Sequence, residues 1–86
     1  MRSNIPVWLE VYSFLDENII LGEFIDVRFI LTNIGLSPTS VYKGLHILDE
    51  LDVINLNKVG VSYEVVPTQR FLDVKETFRD LLEAIK

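Results

Sequence analysis

Gly35-Leu36-Ser37-Pro38-Thr39-Ser40-Val41-Tyr42-Lys43-Gly44-Leu45-His46-Ile47-Leu48-Asp49-Glu50-Leu51 reads as a turn, a helix cap and a helix in direct succession. Gly35 suits the left-handed conformation that closes a preceding helix. Ser37 offers a side-chain oxygen to the first free N–H groups of the next helix, and Pro38 fits its first position. Val41, Leu45, Leu48 and Leu51 then recur at helical spacing and are expected to face a core. Thr39, Ser40, Tyr42, Lys43 and His46 fall on the other side, mostly toward the N-terminal end. Gly44 costs up to about 1 kcal/mol relative to Ala inside a helix. Either it permits something to approach closely or it is simply tolerated.

Working outward from this helix, Val53-Ile54-Asn55-Leu56-Asn57-Lys58 alternates apolar and polar residues, as a half-buried strand does. Val59-Gly60 marks a turn, Val61 to Val66 supplies the returning strand, and Pro67 stops the hairpin. A last helix is expected over about 72–85, with Val74, Phe78, Leu81, Leu82 and Ile85 on one side and Lys75, Glu76, Arg79, Asp80 and Glu83 on the other. Upstream, Asp26 is a candidate N-cap, and Val27, Ile30, Leu31 and Ile34 follow the i, i+3, i+4, i+7 spacing of a one-sided helix. Phe29 lies off that stripe and is expected to be exposed. Phe24-Ile25 reads as a short edge strand, preceded by a turn over Ile19 to Gly22. The first helix is expected over about 5–17, starting near Asn4 with Pro6 in its first turn. Trp8, Val11, Tyr12 and Leu15 share one face, and Val7 and Phe14 widen it. A helix apolar on most sides is either central or half-buried in a partner.

Eighty-six residues make one domain, 1–86, with about 5–17 and 72–85 as terminal helices. Hydrophobic residues form 49% of the chain against 24% charged, a rich share for so small a protein. Some apolar surface is therefore expected to find its cover in a homodimer or a protein partner. The absence of cysteine excludes disulfides, a thiol nucleophile and thiolate zinc sites. No signal peptide or membrane span is visible, so a soluble cytoplasmic protein is expected. The net charge of −5 opposes nucleic-acid binding in bulk, although cations gathered on one face would offset it.

The order helix, strand, helix, helix, two-stranded wing, helix defines an α+β, mainly α chain. From Val11 to Val66 it resembles the winged helix-turn-helix superfamily, in the manner of small MarR, ArsR and PadR type regulators and archaeal or viral relatives. Ile34-Gly35-Leu36-Ser37 resembles the family's turn. Val41 and the run from Leu45 to Ile54 resemble its recognition helix leading into the first wing strand. Asp52 departs from the pattern, because relatives commonly carry glycine there.

The resemblance implies a dimeric transcriptional regulator that binds double-stranded DNA, with the third helix in the major groove and the wing on the backbone. Ser37, Thr39 and Ser40 would then meet phosphates at the helix N-terminus. Tyr42, Lys43 and His46 would point toward base edges or backbone, and Lys58 and Arg28 would add phosphate contacts. Trp8, Tyr12, Phe29, Phe78, Leu82 and Ile85 are the candidate protein interface. Arg2, Arg70, Lys75, Arg79 and Lys86 belong to terminal segments that are solvated or dimerising. The alternative is a protein-interaction module without DNA binding, such as an acidic accessory subunit of a DNA polymerase holoenzyme or another replication or transcription assembly. No catalytic residues, cofactor or metal are expected: one histidine and no cysteine leave little for a triad or a metal site, and Asp49, Glu50 and Asp52 read as a solvated run.

Overall fold

Pro6 stands at the head of the first helix, α1 (Val7–Asn18), in the computed structural model, which describes residues 5–19 and 23–85. Asn18 closes α1 by donating from its side-chain amide to the Phe14 carbonyl at 2.8 Å. The expected helix start near Asn4, the turn residues Ile20, Leu21 and Gly22, and the terminal cations Arg2 and Lys86 lie outside the described residues.

A two-residue strand, β1 (Ile25–Asp26), leads straight into α2 (Val27–Asn33). The Asp26 carboxylate accepts from the Arg28 backbone N–H at 2.8 Å and caps α2. Val27 and Ile30 are buried, and Leu31 and Ile34 are half-buried, so the one-sided pattern is met. Gly35 follows with φ +77°, the left-handed conformation its position demands.

In α3 (Pro38–Glu50), Val41, Gly44, Leu45 and Leu48 are buried. Gly44 sits against α1: a Cβ there would lie 2.8 Å from Val11 Cγ2 and 3.3 Å from the Trp8 Cα. The glycine therefore lets the two helices approach closely. Leu51 was expected in the core but is 45% exposed. The helix ends before it at a Schellman turn, in which the Val53 N–H reaches the Leu48 carbonyl and the Asp52 N–H the Asp49 carbonyl, each at 3.0 Å. Asp52 takes the left-handed position, φ 61°, that glycine usually fills. Val53, beyond the turn, is buried in the core.

The hairpin comprises β2 (Ile54–Val59) and β3 (Ser62–Pro67), paired antiparallel with Val59 opposite Ser62. Its two-residue turn is Gly60-Val61, one step later than expected. Gly60 has φ +63° and so occupies the first central position, where such a turn needs glycine. The sheet order is β1-β3-β2, which leaves β2 with a free edge. On that strand the Leu56 N–H donates to the Asp49 carboxylate of α3 at 3.4 Å. Thr68 fastens the other end, its N–H donating to the Val53 carbonyl at 3.1 Å.

The expected last helix is two helices, α4 (Gln69–Asp73) and α5 (Lys75–Ile85). At this interruption α1 meets the chain: the Tyr12 hydroxyl donates to the Phe71 carbonyl at 2.7 Å. The core lies between α1, α2, α3 and the inner face of the sheet, with Phe71 closing it from below. The Cα radius of gyration is 12.3 Å, against about 12 Å for a compact chain of this length.

Candidate nucleic-acid interface

The outward side of α3 is built by the same periodicity that buries its inner side. Thr39, Lys43 and His46 are all exposed and lie at i, i+4, i+7 along one stripe. Glu50 continues that stripe one turn beyond His46, so the surface changes sign along the helix.

The N-terminus of α3 is partly occupied by its own cap. The Ser37 hydroxyl oxygen accepts from the Ser40 N–H at 3.3 Å, and the Ser37 hydroxyl donates to the Ser40 hydroxyl at 3.0 Å. Pro38 has no N–H, and the Val41 N–H already reaches the Ser37 carbonyl. Thr39 is thus the first-turn residue whose N–H and hydroxyl remain available to an anion.

Tyr42 is half-buried and meets the hairpin edge-on, its ring 5.9 Å from that of Tyr63. Tyr63 lies directly opposite Lys58 across the ladder, so both side chains occupy the same face of the sheet as Leu56 and Val65. The aromatic pair therefore ties α3 to the part of the hairpin that carries exposed Lys58. Sequence reasoning missed Tyr63; the signal was its register, since a two-residue turn at Gly60-Val61 places it opposite Lys58.

Arg28 is differently placed. Its Nε and Nη2 hold the two Asp26 carboxylate oxygens at 3.2 and 2.9 Å, and the guanidinium keeps that carboxyl below the usual range. Asp26 also faces Glu64 across the β1–β3 pair. Arg28 is committed to a local acidic pair. Lys75 and Arg79 are committed too, at 3.4 and 3.0 Å from the Asp16 carboxylate, a residue not singled out from sequence. Among the described residues, Lys43, Lys58 and Arg70 are the cations without an ion pair.

The apolar candidates divide as well. Tyr12 is 2% exposed and belongs to the core, where burial and then the nearby Asp16 charge push its phenol up to about 12. Trp8 stacks edge-on against Phe78 at 5.2 Å, and Phe78 against Tyr12 at 4.9 Å. Leu82 and Ile85 are half-buried on α5. Phe29 is 46% exposed beside Phe14, with the rings 6.0 Å apart. Among the described residues no group of three His, Cys, Asp or Glu side chains could hold a metal ion. No described helix is long and apolar enough to cross a membrane. Comparison with protein-family models, curated proteins and solved structures finds no match to this chain.

Proposed function

We propose that this chain is a winged-helix type protein that binds double-stranded DNA, with α3 as the recognition helix and the β2–β3 hairpin as the wing, and that it regulates transcription by occupying its site. One observation carries the reading: exposed Thr39, Lys43 and His46 form the outer stripe of a helix whose inner side is buried, and the Tyr42–Tyr63 contact joins that helix to the hairpin, where Tyr63 lies opposite Lys58. A helix presented in this way fits a major groove, and a flanking hairpin fits the adjoining backbone.

The electrostatic share is small. Lys43 and Lys58 supply about two phosphate contacts per chain, and a second chain would double that number. The test is anisotropy of a labelled duplex titrated with protein at low salt, with Lys43→Glu beside it. Binding is expected for the parent chain, with a loss of at least about tenfold in the variant. Equal affinity of the two proteins would remove α3 from the proposed contact.

A second reading, a protein-interaction module within a replication or transcription assembly, draws support from the same charge pattern. Arg28, Lys75 and Arg79 are spent on internal carboxylates rather than held for phosphates. It is favoured if no duplex binds at low salt.

A further inference from the structure

Helix α5 carries Phe78, Leu81, Leu82 and Ile85 at i, i+3, i+4, i+7, yet none of its residues is buried. Phe78 reaches Trp8 and Tyr12, and the Asp16 ion pairs hold Lys75 and Arg79. Of the rest of the stripe, Leu82 lines an open cleft of about 300 Å³ between α1 and α5, together with Phe78. A second cleft of about 280 Å³ shares Ser13, Glu17 and Leu82 with the first, so one groove runs across the outer side of α1. Phe14, Phe78 and Leu82 contribute its apolar surface, over buried Leu9.

The rim decides what fits. Asp16, Glu17 and Glu83 line the first cleft; among the described residues Arg79 is the one cation lining it, and it is already bound to Asp16. A second copy docking by two-fold symmetry would bring the same acidic rim to the groove, because an isologous interface uses the same patch on both subunits. Like charges brought together at a desolvating interface oppose association. A helix with an apolar stripe flanked by lysine or arginine meets both demands at once: its stripe fills the floor, and its long cationic stems reach the carboxylates at the rim.

We propose that the α1–α5 groove docks a cationic amphipathic helix of a partner protein. The site is separate from the proposed DNA-binding side of α3 and does not depend on it. The test is calorimetric titration with a two-heptad Leu/Lys helical peptide, its Leu/Glu counterpart, and a Leu/Lys peptide of the same composition with the stripe scrambled. Saturable one-to-one binding is expected for the striped Leu/Lys peptide alone. Glu17→Lys/Glu83→Lys weakens it by at least about tenfold, whereas Glu23→Lys/Glu50→Lys, with the same change in net charge, leaves it intact. Lys43→Glu leaves it intact as well, so failure of the DNA reading and failure of this one are distinguishable. Circular dichroism of each variant confirms that it folds. The proposal is overturned if the striped peptide does not bind, if the scrambled or acidic peptide binds equally, or if both double variants lose binding alike. It is also overturned by a dimer in light scattering that Leu82→Glu dissociates, since the groove would then belong to a second copy.

Discussion

At the scale of single residues, Gly44 sets how closely α1 and α3 meet. A methyl group there would press on Val11 Cγ2 at 2.8 Å and face the Trp8 Cα at 3.3 Å; the side-chain contact could be relieved by rotation, the backbone one only by moving a helix. Ala is the better helix former by about 1 kcal/mol, but overpacking a tight contact costs about 1–3 kcal/mol. Gly44→Ala is therefore expected to lower stability in urea denaturation, against the helix-propensity trend. Tyr12 makes a second prediction. Its phenol is held protonated in the folded chain, up to about 12 from the ordinary 10.0. Stability from this group is complete below the unfolded value and is lost as pH rises through the folded one, because only the unfolded chain ionises in between. Between those values, stability should fall with pH, and Tyr12→Phe should flatten the fall. At neutral pH the same variant should lose about 1 kcal/mol with the hydrogen bond to Phe71.

Among the elements, α5 is held chiefly from its first half. Asp16 is the common partner of Lys75 and Arg79, and its side chain is only 11% exposed, so solvent screens these pairs less than ordinary surface ones. Asp16→Ala should release up to about 1 kcal/mol per pair and speed amide exchange across α5 while leaving α3 protected. Hydrogen exchange by mass spectrometry distinguishes that from a global loss of stability. The contrast between α5 and the central elements shows what sequence can convey. Helices α2 and α3 and the hairpin were legible because caps, apolar spacing and glycine turns act within a few residues. The Tyr12 hydroxyl bond to Phe71, beside the division of α4 from α5, was not, since it spans 59 positions. The Asp16 pair with Arg79 spans 63 positions and left no local trace either. Within the candidate site, the Thr39, Lys43 and His46 stripe was legible from period alone. The neutralisation of Arg28 was legible too, in an N-cap aspartate two positions before an arginine, and so was the consumption of the Ser40 N–H by the Ser37 cap. Both caps, Asp26 and Ser37, were read from the sequence, but Arg28, Ser37 and Ser40 were assigned to phosphate beside them, so the competition within each cap was missed.

For the molecule as a whole, a net charge of −5 means that any nucleic acid must approach against the mean field. On the proposed reading, the logarithm of affinity should fall with the logarithm of salt concentration at a slope of about −2 for one chain and about −4 for two. A salt series on the parent chain therefore counts the chains that share a duplex, and light scattering of the complex checks the count. The sheet has a further property at this scale. Its outer strand, β2, belongs to a short hairpin whose open side would ordinarily offer a free amide to any passing extended chain. The Leu56 N–H is instead turned to the Asp49 carboxylate. An incoming strand would have to displace that hydrogen bond and bury a negative charge to form its first pair, so α3 acts as a guard against edge-to-edge aggregation. A chain with this much apolar surface and a bare β2 edge would be prone to fibril growth at high concentration, and one aspartate near the end of a helix raises the barrier to the first step.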